Sequence, residues 1–223
     1  MFIVKYIIGR WYNIGMVVAV LTIIYTIFTW GNHHILQNLL LLNFAALLIH
    51  QFEEYRLPGG EPAIINIAFR NSDIPDRYPL NQFSAMFVNT FYAYICYLIP
   101  VFFPNLIWLG LMPMLFGITQ VFAHGIVANK ILSTIYNPGL AACVLLHLPI
   151  GAYYIYYISV HNLISGWDWL IAIVYMVAAA WFLLIKITYD ILPDRNTKYP
   201  FDAEEINRYK FNPNMKPLKK LQK

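Results

Sequence analysis

The sequence predicts an all-α protein, a polytopic transmembrane helix bundle of about six spans with both termini in the cytoplasm. Three observations carry that expectation. Hydrophobic residues make up 60% of the 223-residue chain and charged residues only 12%, with a mean hydropathy of +0.55. Soluble domains run to roughly 25% charged. Apolar runs of membrane-crossing length recur between short turns, and the basic residues collect on one side of those runs.

Residues 1–13 are apolar apart from Lys5, Arg10 and Asn13, and the uncharged run from Ile14 to Trp30 forms span one. No small-residue cleavage site follows it, so it reads as a span rather than a removed leader, and Trp30 to His34 reads as an interfacial turn. Span two runs from Ile35 to about Glu54. The connector after it carries Arg56, Glu61, Arg70, Asp73, Asp76 and Arg77, and its apolar middle, Pro62 to Arg70, is expected to lie at the membrane surface. Span three covers Gln82 to Phe103 and span four Leu106 to His124. Gly125 to Pro138 is expected as a loop, with Pro138 suited to the first turn of the next helix. Span five reaches Val160 through an aromatic belt of Tyr153, Tyr154, Tyr156 and Tyr157. Span six reaches about Tyr189. Residues 1–190 thus form the bundle, and 191–223 a basic cytoplasmic tail with one short helix opened by Asp202 ahead of Glu204 and Glu205. Cys96 and Cys143 fall inside spans, form no disulfide framework and read as small hydrophobes.

Charge sorting sets the orientation. The turns at 31–34, 104–105 and 161–167 contain no Lys or Arg, and all 15 such residues lie on the other side or at its boundary. That is the positive-inside pattern, and it explains the net charge of +4 without a nucleic-acid partner. The expected location is the cell membrane, with membrane lipids as neighbours; the oligomeric state is not legible.

Topology then places the chemistry. His50, Glu53 and Glu54 stand at i, i+3 and i+4 at the cytoplasmic end of span two, and Asn43 lies two turns deeper on the same side. His124 ends span four. Asn89 is roughly 10 Å and His147 roughly 13 Å below the same surface at 1.5 Å per residue. Histidines and carboxylates from facing helices are the ligand set of zinc or non-haem iron. Each residue has a plainer reading: Glu53 and Glu54 as interfacial charges beside Arg56, His124 as an interfacial histidine, Asn43 and Asn89 as helix-to-helix hydrogen bonders. The convergence of so many polar groups on one side favours a site. His33, His34 and His161 fall on the opposite side and are left out of it.

The string from His50 to Tyr55 (HQFEEY), followed by Pro58-Gly59-Gly60, resembles the multi-pass membrane family named for its HXXEE motif. Asn89, His124 and the Tyr136-Asn137-Pro138-Gly139 turn extend the resemblance over roughly residues 14–190. The family brings no assigned reaction. It supports the site residues and adds Tyr136 as a supporting group.

The resulting expectation is a metal-dependent membrane enzyme, with His50, Glu54, His124 and His147 holding a divalent ion, zinc ahead of iron. Glu53 and Glu54 are the candidate acid–base groups, and Asn43, Asn89 and Tyr136 support them. The substrate would be lipid-like or amphipathic and the reaction hydrolytic. A di-iron oxidoreductase and a proton-coupled transporter using the His/Glu cluster as a relay are the alternatives, with a non-catalytic scaffold behind them.

Overall fold

The computed structural model describes residues 2–218. Among them every regular element is helical, and six helices are long and apolar enough to cross a membrane. We label these α1 (Ile3–Phe28), α2 (Ile35–Tyr55), α3 (Gln82–Phe102), α4 (Ile107–Leu132), α5 (Leu140–Val160) and α6 (Gly166–Ile191). The fold class and the number of spans match the expectation from sequence.

The helices differ sharply in burial. Within its most apolar stretch α2 is 72% buried, whereas α6 is 17% buried, so α2 is the axis of the bundle and α6 is largely left to lipid. Close approach to α2 and between α4 and α5 depends on small residues, as expected where lipid competes on equal terms with apolar side chains. Ala45 and Ala46 are buried on α2. A Cβ on Gly117 of α4 would lie 2.7 Å from Nδ1 of His147 on α5.

Four helices carry widened π turns beside the polar layer: Ala93–Leu98 in α3, Ala123–Ala128 in α4, Cys143–His147 in α5 and Ala180–Ile191 in α6. Two have a covalent cause. Pro100 and Pro149 lack the N–H that would bond the carbonyls of Cys96 and Leu145 four residues back, and their rings crowd those carbonyls. Such turns recur at functional sites because they re-aim side chains. Here they hold His124, Cys143 and His147.

Two expectations change at the charged end of the bundle. Residues 125–132 are not a loop; α4 continues through them to Leu132. The apolar middle of the connector packs on the bundle. Glu61–Ala63 opens a short helix that continues as a π turn over Ile64–Phe69, with Ile64 and Ala68 packed on Ala128, Ile131 and Leu132. The apolar spacing served a protein contact. The chain beyond α6 also folds back across this end. Phe201 is buried with Trp11, Tyr12 and Tyr55, and Glu205 accepts hydrogen bonds from Gln82 (2.9 Å), Tyr12 (3.3 Å) and Arg10 (3.4 Å). The short helix after Asp202 is present as Ala203–Asn207. The end of the expected basic tail, residues 219–223 with Lys219, Lys220 and Lys223, lies outside the described residues.

Candidate functional site

α2 reaches the charged end with His50 (5% exposed) and Glu53 (8% exposed) both buried, and Glu54 beside them. The adjacent glutamates diverge because successive helical residues point about 100° apart. Glu53 turns to α5: it accepts the Tyr136 hydroxyl at 2.8 Å and the backbone N–H groups of Ala141 (3.1 Å) and Ala142 (2.8 Å). It thereby caps the start of α5 from another helix, satisfying two of the N–H groups that no helix can pair internally and placing negative charge at the positive end of the dipole.

Glu54 turns to the histidines. Its Oε1 lies 3.2 Å from Nε2 of His50 and 3.5 Å from Nε2 of His124. The opposite nitrogen of each ring is fixed by a different partner. His50 Nδ1 lies 3.1 Å from the Gly139 carbonyl, which can only accept, so Nδ1 carries the proton. His124 Nδ1 lies 2.6 Å from Asn137 Oδ1. The Asn137 amide donates at 2.8 Å both to the His124 carbonyl and to Asn129 Oδ1, which orients its oxygen toward the ring. Each ring therefore turns Nε2 toward the same carboxylate oxygen. Three acceptors at these distances repel unless a cation, either a proton or a metal ion, lies among them.

The 3.2 and 3.5 Å distances to Glu54 Oε1 are those of neighbouring ligand atoms on one ion. Bonds of about 2.0–2.1 Å in a tetrahedron place neighbouring ligand atoms roughly 3.3 Å apart. Among the described residues, the group whose ligating atoms all lie within 4.8 Å of one another is His50, His124 and Cys143, with Cys143 Sγ 3.4 Å from His50 Nδ1; Glu54 is not in that group. Gly139 makes this approach possible. Its φ of +97° suits glycine, and an added Cβ would lie 2.6 Å from Cε1 of His124 and 2.8 Å from Cε1 of His50.

The remaining expected residues fall around this core. His147 hydrogen-bonds Asn43 Oδ1 through Nδ1 at 2.8 Å, and its ring is 5.9 Å from that of His50. Its Nε2 and the Asn43 amide nitrogen are buried without a hydrogen-bond partner. Asn89 does not reach the histidines. It donates to the Ala85 carbonyl (2.9 Å) and the Tyr55 hydroxyl (3.4 Å), and Gln51 reaches its backbone carbonyl at 3.2 Å. At the far end of the bundle His33 bonds Tyr25 at 3.0 Å, and His161 stacks on Tyr157.

A chamber of about 160 Å³ opens beside His50 and Glu54, walled by α2, α3, α4 and α6 and by Glu61 of the connector. Burial, reinforced by the Glu54 carboxylate, pushes the Glu61 carboxyl well above its ordinary range. Sequence reading placed Glu61 among loop charges, although an acidic residue followed by Pro62, just after Pro58-Gly59-Gly60, is a helix-start signal. Asn137 and Cys143 were also passed over. An asparagine in a turn and a cysteine in an apolar span carry no signal of their own.

The family described as "Protein of unknown function with HXXEE motif" matches residues 41–154, which takes in Asn43, the motif, Asn89, His124, Gly139 and His147. No curated protein and no solved structure matches the chain.

Proposed function

The chain belongs to this HXXEE-motif family, and from that premise and the geometry around Glu54 we propose that it is a metal-dependent membrane enzyme, a hydrolase of lipid-like or amphipathic substrates. The carrying observation is the convergence of the His50 and His124 Nε2 atoms on Glu54 Oε1 at 3.2 and 3.5 Å, at the wall of a chamber. Two histidines and one carboxylate are three of the four positions of a catalytic zinc site, leaving one for water or substrate. A divalent ion held there would acidify water and polarise a carbonyl or phosphoryl group.

The protein's own groups do the rest. Gly139 and Asn137 hold the imidazoles in the tautomer that leaves Nε2 free. Glu54 would help hold the ion, and its carboxylate would take a proton from water and pass it to the leaving group. Glu53 fixes α5 and takes no proton. His147 and Asn43 back His50 from below. Zinc leads iron because a single ion suffices for hydrolysis. The sorting of Lys and Arg to the site end supports a cytoplasmic opening; reporter fusions after Arg77 should then read inside and those after His161 outside.

Metal analysis of purified protein tests the reading. Wild type should carry about one ion per chain, and His50→Ala, His124→Ala and Glu54→Ala should each lose most of it. His33→Ala and His161→Ala should keep it. Wild type that is purified without chelator, holds no stoichiometric metal and takes up neither zinc nor iron would overturn it. The His50–Glu54 pair would then be a metal-free acid–base site, or a relay if uptake of a solute proved to depend on a proton gradient.

A further inference from the structure

We propose that the chain after α6 positions the candidate site, with Arg208 as the residue that holds the last turn of α2, and Glu54 with it, against the histidines. This names a positioning residue for the site read above and rests on that reading only for the zinc affinity used in its test. The contact itself stands on the hydrogen bonds between the tail and α2.

α2 ends on charges that oppose its dipole. Glu53 and Glu54 fall in its last turn, no basic residue does, and the carbonyls there have no partner within the helix. The following turn pairs some of them: the N–H groups of Arg56 and Leu57 reach the Phe52 carbonyl at 2.8 and 3.0 Å, and that of Gly59 reaches the Glu53 carbonyl at 2.9 Å. The remainder is supplied from 153 positions along the chain. Arg208 donates from Nη1 to the carbonyls of Tyr55 (3.1 Å) and Arg56 (3.0 Å), and its Nη2 is held by Glu204. A guanidinium there satisfies two open acceptors and places positive charge at the negative end of the helix.

The turn after α2 is shaped to admit this side chain. Gly59 and Gly60 have φ of +74° and +112°. A Cβ on Gly59 would lie 2.7 Å from Arg208 Cδ, and one on Gly60 would lie 2.6 Å from Tyr209 Cβ, so a side chain at either position would push the tail away. The tail is anchored on both sides of Arg208. Glu205 is buried among Arg10, Tyr12 and Gln82, and Asn212 donates to the Ser133 carbonyl at 2.8 Å. Glu54, whose carboxylate meets both histidines, stands one residue before the first carbonyl that Arg208 holds. Helix ends fray, whereas the groups of a working site must be held to within about 0.5 Å. Arg208 reconciles the two by pinning the turn that carries Glu54.

The test measures zinc affinity and melting temperature of the full-length protein in nanodiscs for wild type, Arg208→Ala, Arg208→Lys and Asn212→Ala. Asn212→Ala loosens the tail at its anchor on Ser133 and leaves the Arg208 contacts in place. Both alanine variants should melt below wild type, but only Arg208→Ala should lose zinc affinity, by about 10–100-fold, the scale of a group that supports a ligand. Arg208→Lys keeps the charge but not the fork and should fall between; it carries the same comparison if Arg208→Ala does not fold. A metal-free measure is the rate at which diethyl pyrocarbonate modifies His50 and His124 in the apo-protein. Arg208→Ala should raise that rate at least about tenfold, the scale of a lost hydrogen bond to a charged group, and Asn212→Ala should not. Wild-type zinc affinity in Arg208→Ala, or equal losses in Arg208→Ala and Asn212→Ala, would overturn the proposal. A wild type that binds no zinc sinks only the metal reading; the modification rates then decide this one, and an unchanged rate in Arg208→Ala would overturn it.

Discussion

Two sides of α2 differ in how completely their polar groups are satisfied. Toward α4 and α5, Glu53 has three donors, the His50 and His124 Nδ1 atoms are fixed, and Asn137 spends its amide and its oxygen on named partners, while deeper on this side His147 Nε2 and the Asn43 amide nitrogen lack a partner. Toward α3 and α6, Tyr92 and Thr188 keep unpartnered hydroxyls and the chamber wall carries the carboxyl of Glu61. A closed network fixes geometry because every rotation would break a hydrogen bond, whereas polar groups left open carry no such constraint. One helix thus faces a wall whose hydrogen bonds aim the histidines and a wall where the protein leaves polar groups unpaired.

Breaking the closed side should have the largest effect. Gly139→Ala forces a Cβ between the two imidazoles and strains a positive φ, so it should destabilise the protein by about 3 kcal/mol and abolish metal binding. Thermal unfolding in detergent, together with metal content, reads both; a normal melting temperature would mean that the loop yields and the closed side is not rigid.

The motif glutamates should separate next. Glu54→Gln should lose the metal by more than about 100-fold in affinity while the fold holds. Glu53→Gln should keep the metal and cost about 1–2 kcal/mol of stability, because it weakens the cap on α5 without touching the histidines. Equal metal loss in the two variants would erase the distinction between them. Asn137→Ala should be milder, lowering metal affinity about 10–100-fold by freeing the His124 tautomer. Zinc titration of the apo-protein measures it.

The smallest effect sharpens the open side. Burial, then the Glu54 carboxylate, raises the Glu61 pKa above its ordinary value of 4.5, so the folded apo-protein keeps that proton at pH values where the unfolded chain has released it. The unfolded state binds fewer protons in that window, and stability falls as pH rises from about 4.5 through the folded-state value. Glu61→Gln lacks this loss and should gain on wild type between pH 4 and pH 8. An unchanged gap in unfolding midpoint between those pH values would show that Glu61 is already compensated.

Much of this arrangement was legible because the membrane imposes one-dimensional rules. Six apolar runs and sorted basic residues follow from the cost of burying charge and open backbone in hydrocarbon, and that cost is paid segment by segment. His50, Glu53 and Glu54 could be placed on one side of α2 because helical spacing is local. His124 and His147 could be placed at matching depth because depth is a count along the chain.

What local rules could not reach was pairing between helices. Spacing puts Glu53 and Glu54 at the same level, but only the packing of α5 beside α2 makes Glu53 a helix cap and leaves Glu54 to His50 and His124. Likewise Pro62 to Arg70 reads as a membrane-surface stretch until α4 is seen to run on to Leu132 and cover it. The sequence by itself determined the class of fold, the spans and the inventory of polar groups at one end of the bundle. The tertiary structure decided which of those groups is satisfied by protein and which is left facing the chamber, because a side chain's hydrogen-bond partners are set by the rotation and close approach of neighbouring helices, and neither is written in the spacing of any one of them.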